Sequence, residues 1–211
     1  MMTDFLPLFP LQLVVFPGEK LNLHIFEPRY KQLIREVEQN GTTFGIPSYI
    51  DGKVMDVGTE IRLISVEKRY EDGQMDIRTE GMGLFRIIEL YRVAPGKLYA
   101  GADISRLNIA DGGNISKAEE ILSLAKELFA LLGIDKKLPG AGQFYAFDIA
   151  HHIGFSQQQE YTFLCLSDEE RRQDFMLTHL RAMLPAAQQM QQLRERALMN
   201  GHFREIHPPS F

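Results

Sequence analysis

Histidine has the widest chemical scope of the residue types in this sequence, because imidazole can bind a metal or transfer a proton near neutral pH. The chain contains six histidines. His151 and His152 are adjacent, so on a helix they point about 100° apart and cannot both chelate one ion in the i, i+4 manner. His24 lies on the polar side of an alternating strand pattern, while His202 and His207 lie near the C-terminus. We therefore expect solvated or hydrogen-bonded imidazoles and no metal site.

The candidate nucleophiles also lack the neighbours that catalysis needs. Cys165 is the only cysteine, which excludes an intramolecular disulfide and a thiolate zinc cluster. Its apolar helical surroundings predict a buried, unreactive thiol. Ser116 and Lys117 are adjacent and cannot form a preorganised nucleophile and base, so we assign Ser116 to a helix-capping box with Glu119. We expect no catalytic residue in this set.

No glycine-containing segment has the spacing of a phosphate-binding loop. Gly52-Lys53 and Gly96-Lys97 lack both the earlier glycine and the following hydroxyl residue of a P-loop. Gly81-x-Gly83 is followed by Arg86 where a dinucleotide-binding loop has glycine. The G-x-S-x-G and H-E-x-x-H patterns are absent from the sequence. We expect neither an ATPase site nor a cofactor.

The composition is that of an ordinary globular protein, with 45% apolar and 24% charged residues. Lys and Arg number 23 against 28 Asp and Glu, a net charge of −5. This balance does not favour a general nucleic-acid binder, although it permits a local basic patch. No segment approaches the ~18–20 continuous apolar residues of a membrane span, and the N-terminus does not resemble a targeting signal. We expect a cytoplasmic protein without a membrane partner.

Residues 1–107 carry most of the strand patterns. Leu21, Leu23 and Ile25 alternate with polar residues, as in a half-buried strand, and Pro28 precedes an amphipathic helical pattern. The other predicted elements are a turn at Pro17-Gly18, a hairpin of 60–70 and 74–80, a bend at 81–83, and strands at 85–93 and 98–107. Six or seven short strands with one helix predict a small barrel-like sheet.

Residues 115–200 change to helical periodicity after the turn-rich segment 108–114. Predicted helices run from the Ser116 cap to Leu132, from about Gln143 to Gly154, and from caps at Ser156 and Ser167. Met176, Leu180, Met183, Ala187 and Met190 form an apolar stripe on the last helix, and Pro185 predicts a kink or a new helix start. We expect residues 201–211 to form a flexible tail.

Two blocks of motifs in the first half resemble the Lon N-terminal domain family. The first contains Leu6-Pro7-Leu8-Phe9-Pro10-Leu11, Val14-Val15-Phe16-Pro17-Gly18 and Leu23-His24-Ile25-Phe26-Glu27-Pro28-Arg29-Tyr30. The second contains Val57-Gly58-Thr59-Glu60 and Glu80-Gly81-Met82-Gly83-Leu84-Phe85-Arg86-Ile87. The resemblance spans roughly residues 5–92, and beyond residue 110 only the helical layout is similar.

The resemblance implies an α+β fold in which a PUA-like small β-barrel or sheet lobe, residues 1–107, precedes an all-α helical bundle, residues 115–200. In full-length Lon proteases this domain holds unfolded substrate polypeptides and helps to assemble the hexamer. The family's ATPase and protease modules have no counterpart in the sequence. The resemblance therefore implies a non-enzymatic module whose partners are unfolded or partly folded polypeptides. A related form is an adaptor for a separate ATP-dependent protease, with residues 188–206 as the docking element.

The matching motif offers two roles for its residues. In the architectural role, Phe26 and Tyr30 anchor the helix against the sheet, and Glu27 and Arg29 pair locally across Pro28. In the functional role, His24, Phe26, Glu27, Arg29 and Tyr30 line the edge of a polypeptide-binding groove.

Two alternatives stay open at this point. PUA-like lobes resemble RNA-binding modules, so the chain could bind structured RNA with an affinity that falls steeply with salt. A small enzyme that uses Asp or Glu with His between the lobes is the other alternative, although no pair at an informative spacing supports it.

Overall fold

A computed structural model describes residues 4–110 and 112–201, with only the backbone at 198–201. The fold is α+β, as predicted, with a six-stranded sheet and a helical C-terminal part. The elements are β1 (Asp4–Leu8), β2 (Lys20–Ile25), α1 (Pro28–Asn40), β3 (Phe44–Ile50), β4 (Lys53–Arg69), β5 (Met75–Tyr91), β6 (Ala100–Leu107), α2 (Ile115–Leu132), α3 (Gln157–Leu164) and α4 (Glu169–Gly201).

The chain forms two compact units. The first contains Met1–Gly112 and Phe147–Glu169, and the second contains Gly113–Ala146 and Glu170–Phe211. The lobe boundaries expected from the sequence stay a prediction. In the structure, residues 147–169 pack within the first unit. The expected tail lies outside the described residues except for Gly201, where α4 ends.

The sheet of the first unit closes into a barrel. Its strand order is β2-β5-β4-β3-β1-β6, and β6 also pairs with β5. Along one edge, β5 pairs with β4; along the other, residues 75–80 pair with β2 and residues 84–91 pair with β6. β5 is therefore one continuous strand where the sequence predicted two.

The predicted bend at residues 81–83 is a β-bulge within β5. Gly81 is opposite Ile61 and Gly83 is opposite Glu60, which leaves Met82 as the extra residue. A Cβ on Gly81 would lie 2.5 Å from the carbonyl oxygen of Phe16. Glycine is therefore required where the Phe16–Glu19 turn crosses the sheet.

Helix α1 covers one end of the barrel sheet. Proline occupies its first turn, and the helix ends at Gly41 with φ +62°. Tyr30, Leu33, Ile34 and Val37 are its buried residues, as the helical spacing predicted. They belong to one apolar cluster of this unit, and Leu6, Leu8, Phe85, Ala102 and Ile104 form another.

In the segment 141–169, the Ser156 prediction is confirmed. The Ser156 hydroxyl accepts from the amide of Gln159, and the Gln159 side chain accepts from the amide of Ser156. The helix predicted from Gln143 to Gly154 is wrong in type, because the chain forms short 3₁₀ helices at Ala141–Gln143 and Ala146–His152. The glycine-rich stretch at 140–142 has low helix propensity, which favours short turns.

Cys165 follows α3 and is exposed, so the expectation of a buried thiol was wrong. The helix ends at Leu164, and Cys165 is the capping residue that follows its last turn. Partial desolvation still raises the pKa of the thiol, which disfavours the reactive thiolate.

The second unit corrects two predictions about helix ends. The cap of α2 is Asn114, whose side chain accepts from the amide of Lys117, and not Ser116. An asparagine oxygen two residues earlier satisfies the free amides first. Gly133 ends α2 with φ +68°, as predicted. α4 runs continuously through Pro185, so the predicted new start does not occur.

The apolar stripe of α4 is buried only in its first part. Met176 and Leu180 are fully buried, whereas Met190 is 69% exposed. Arg181 pairs with Glu120 on α2 at 2.6 Å. No described helix combines the length and apolar composition that spanning a membrane requires.

The barrel interior predicts the effect of one glycine substitution. A Cβ at Gly58 would lie 2.7 Å from Cζ of Phe85 and 2.8 Å from the carbonyl oxygen of Ile46. Gly58→Ala should therefore lower the free energy of unfolding by about 1–3 kcal/mol through overpacking. Chemical denaturation of the purified protein measures this. Gly83→Ala is the control, because a Cβ there meets nothing within 4 Å. Equal midpoints for the two variants would contradict the packing described for Phe85.

Candidate functional site

His24 lies near the end of β2 and is held by two neighbours on the sheet. Its Nδ1 is 2.6 Å from Oδ1 of Asp76, and its Nε2 is 2.7 Å from Oε1 of Gln74. The hydrogen bonds to Asp76 and Gln74 raise the pKa of His24 above its ordinary value. The imidazole is thus engaged at both nitrogens, which favours its protonated form.

The other four predicted site residues divide between surface and core. Phe26 is 59% exposed, and its ring lies 6.2 Å from that of His24. The guanidinium of Arg29 pairs with Glu27 at 2.8 Å and lies 4.5 Å above the ring of Tyr30. Tyr30 is buried and stacks on Phe9 at 3.8 Å. Tyr30 therefore anchors α1, whereas Phe26 does not.

His24 lines a cleft of about 770 Å³ over β2, β5 and β4, here called the sheet cleft. Its other lining residues are Lys20, Asn22, Leu23, Ile64, Glu67, Asp76, Ile77, Arg78, Thr79 and Glu80. Several of their charges are paired: His24 with Asp76, Arg78 with Glu67 at 3.9 Å, and Glu80 with Arg62 at 2.5 Å. The charged side chains of this cleft largely satisfy one another.

Arg29 and Tyr30 line a different cleft of about 840 Å³, here called the barrel-end cleft. Its apolar and aromatic lining residues are Pro10, Leu11, Tyr30, Tyr49, Val54, Leu90 and Ala100. Its charged lining residues are Arg29, Lys53 and Arg92, and Gln12 and Gly52 complete it. This combination can hold an apolar ligand that carries negative charge.

Backbone pairing fixes the walls of the barrel-end cleft. The amide of Tyr49 donates to the carbonyl of Leu11 at 2.7 Å, which ties the segment after β1 to β3. Asp51 and Gly52 both have positive φ in the tight turn between β3 and β4. Leu90 pairs with Ala102 of β6. The cleft thus lies on paired strands, which favours a preformed site.

The residues predicted from the sequence include only part of the barrel-end cleft. Arg29 and Tyr30 lie in the barrel-end cleft, His24 lies in the sheet cleft, and Phe26 and Glu27 line neither. Tyr49, Lys53, Leu90 and Arg92 were missed. The Asp51-Gly52 hairpin signal could have located Lys53 at a strand start, but no local signal relates it to Arg92.

A second cluster of titratable groups surrounds His151. Its Nδ1 is 2.6 Å from Oε1 of Glu160, and its Nε2 is 3.1 Å from Oε2 of Glu19. Its ring also lies 4.6 Å from the ring of Phe16. Burial alone would lower the pKa of His151, but the hydrogen bonds to Glu160 and Glu19 outweigh it and raise the pKa to about 9. With both nitrogens engaged, this imidazolium ties residues 147–169 to the barrel and has no free lone pair for base catalysis.

Comparison with known proteins gives a consistent result. The family model of the ATP-dependent protease La (LON) substrate-binding domain matches residues 5–196 of the 211-residue chain. A search of the curated proteins gives no match.

Solved structures of Lon N-terminal domains share the fold. A Lon N-terminal domain protein from Xanthomonas campestris is 28% identical with a TM-score of 0.65, and the match covers 83% of this chain and 98% of that one. The N-terminal domain of Mycobacterium avium complex Lon protease has a TM-score of 0.62 at 12% identity, covering 84% of this chain and 98% of that one. At 12% identity the likeness shows the fold alone.

The His151 cluster predicts how stability depends on pH. Because the pKa of His151 rises from 6.5 in the unfolded chain to about 9 in the folded one, its contribution is complete below about pH 6.5 and is lost as pH rises through 9. Denaturation at a series of pH values gives the free energy of unfolding at each pH. Between about pH 7.5 and 10 this free energy should fall by an amount on the order of 2 kcal/mol in the unmodified protein, and His151→Gln should lack this loss. His24→Gln is the control and should keep most of the loss. The same slope in His151→Gln as in the unmodified protein would refute the assignment.

Proposed function

Because the chain belongs to the family of ATP-dependent protease La (LON) substrate-binding domains, we propose that it captures exposed apolar segments of unfolded or partly folded polypeptides. The family supports a non-catalytic, substrate-binding role. Capture of apolar segments is more specific than this general role. The lining of the barrel-end cleft is the observation that supports it.

The barrel-end cleft presents apolar side chains in a concavity of suitable size. Leu90 is 39% exposed at its wall, beside Leu11, Tyr49 and Val54. Its volume of about 840 Å³ lies within the usual range for ligand sites. Burying side chains of an unfolded polypeptide against this lining would contribute roughly 25 cal/mol per Å² of apolar area. Arg29 and Tyr30, two of the residues expected from the sequence, contribute to it.

His24, Phe26 and Glu27 form a second candidate contact for polypeptides. Phe26 is an exposed aromatic side chain, and exposed aromatics are common anchors at interfaces. Its position outside both clefts makes it the weaker candidate. Substitutions of Leu90 and of Phe26 distinguish between the barrel-end cleft and this second surface.

The adaptor form of the proposal concerns α4. Met190 and Leu193 are 69% and 57% exposed, and Met190 lines a groove of about 410 Å³ with Leu131, Leu132 and Met183. An exposed apolar helix face is a common docking element for a partner. These exposed residues support the predicted 188–206 docking element as far as Ala197. Residues 202–206 lie outside the described part of the chain. The family and the solved structures give no comparable support to RNA binding.

Leu90→Ala should weaken binding of a permanently unfolded, fluorescently labelled polypeptide by roughly five- to tenfold, because it removes apolar contact area at the cleft wall. Fluorescence anisotropy measures the dissociation constant. Met82→Ala is the matched control, since Met82 is an exposed apolar residue of the same strand outside the cleft.

The same titration with Phe26→Ala decides between the surfaces. Loss of affinity in Phe26→Ala with none in Leu90→Ala would assign the polypeptide-binding site to the end of β2. Saturable binding by neither the unmodified protein nor any variant would refute the proposed function.

For the adaptor form, Met190→Asp with Leu193→Asp should reduce association with a purified Lon-type ATP-dependent protease at least fivefold, because charge on the docking face must be desolvated. Biolayer interferometry measures the affinity. Gln189→Asp with Gln192→Asp adds the same two charges at adjacent exposed positions and should have little effect. Unchanged binding by the double variant would exclude α4 as the docking element.

A further inference from the structure

The barrel-end cleft carries an excess of positive charge. Arg29, Lys53 and Arg92 line it, and its lining residues include no Asp or Glu. This is unexpected in a chain whose net charge is −5. The positive potential is therefore concentrated locally, where it acts on whatever enters the cleft.

Two of the three cations have no carboxylate partner among the residues that the structure describes. Arg29 is paired with Glu27 at 2.8 Å. Within residues 4–110 and 112–197, neither Lys53 nor Arg92 has a carboxylate within salt-bridge distance. Both side chains are exposed, so an anion can approach them without displacing a protein group.

The fold holds these two cations at defined places on the cleft. Lys53 is the first residue of β4, directly after the Asp51-Gly52 turn, and it pairs with Ile50. Arg92 directly follows the last residue of β5. Leu90, two residues before Arg92, lines the cleft as well. Apolar and cationic contacts are thus available to one ligand.

The sheet cleft provides the contrast within the same unit. It contains cationic and anionic side chains together, and His24 and Arg78 are paired with Asp76 and Glu67. An added anion there would compete with carboxylates already in place. Only the barrel-end cleft, of these two, offers cations in excess of its own acids.

We propose that the barrel-end cleft selects polypeptide segments in which Asp or Glu residues flank apolar ones, with Lys53 and Arg92 as specificity-determining residues. The inference rests on the polypeptide binding proposed above and adds the chemistry of the segment. Apolar side chains of the ligand contact Leu11, Tyr49 and Leu90, while its carboxylates meet Lys53 and Arg92 at the rim.

The expected selectivity is modest because these cations are exposed. An exposed ion pair typically changes affinity by about 1.4- to fivefold, and two pairs of about threefold each multiply to roughly tenfold. Raising the ionic strength from about 50 to 200 mM shortens the screening length and should reduce this preference.

The test uses three labelled peptides that share one apolar core. In the first, Asp and Glu flank the core; in the second, Asn and Gln replace them; in the third, Lys replaces them. A structured RNA hairpin is the fourth probe. Anisotropy titrations at about 50 and 200 mM salt give each dissociation constant. The variants are Lys53→Gln with Arg92→Gln, Leu90→Ala and, as control in the sheet cleft, Lys20→Gln with Arg78→Gln. Circular dichroism verifies that each variant folds.

The expected result is that the acidic peptide binds roughly tenfold more tightly than its amide analogue, and the Lys peptide more weakly than either. Lys53→Gln with Arg92→Gln should remove this preference and leave the amide peptide within about twofold of its original affinity. The control variant should preserve the preference.

The contrary results are distinguishable. Equal binding of the acidic and amide peptides, with both weakened by Leu90→Ala, would overturn the charge selectivity and leave polypeptide binding intact. No saturable binding of any peptide would overturn both. Binding of the RNA hairpin alone, lost in Lys53→Gln with Arg92→Gln, would overturn the inference in favour of a nucleic-acid site.

Discussion

Hydrogen bonding along one long strand holds the first unit together. β5 pairs with β4 over most of its length, and its opposite edge is divided between β2 and β6. The division occurs at the Met82 bulge, where the local change of register bends the strand. Without the β5–β6 pairing the sheet would have two open edges, and Leu6, Phe85 and Ile104 would lose their shared interior. Barrel closure therefore removes an open sheet edge and encloses this apolar cluster.

Closure also creates the candidate binding site. The turn between β3 and β4, the end of β5 and the start of α1 are far apart in sequence, yet all contribute to the barrel-end cleft. Lys53 and Arg92 are separated by 39 positions and share this cleft because each lies at the end of a strand in the same barrel. The position of His24 follows from the other edge of β5, which places it beside Asp76.

Local chemistry explains which predictions succeeded. The alternation of Leu21, Leu23 and Ile25 and the helical spacing of α1 were visible because burial of one face leaves a period in the sequence. Capping at Ser156 and termination at Gly133 depend on neighbouring residues alone. The prediction that Ser116 caps α2 failed because Asn114, two residues earlier, can cap the helix as well. Cys165 failed because an apolar neighbourhood in sequence does not reveal where a helix ends.

Residue patterns alone indicated the α+β class, the change from strand to helical periodicity after residues 108–114, and the family resemblance, since periodicity, turns and motifs are properties of short segments. It also contained Arg29 and Tyr30 in a recognisable motif. The three-dimensional arrangement was needed to find that Tyr30 is a core residue, that Phe26 is exposed, and that Met190 extends beyond the buried part of its stripe. It alone joined Lys53, Leu90 and Arg92 into one cleft. No local pattern encodes this arrangement, because strand pairing between distant segments depends on the whole set of long-range contacts.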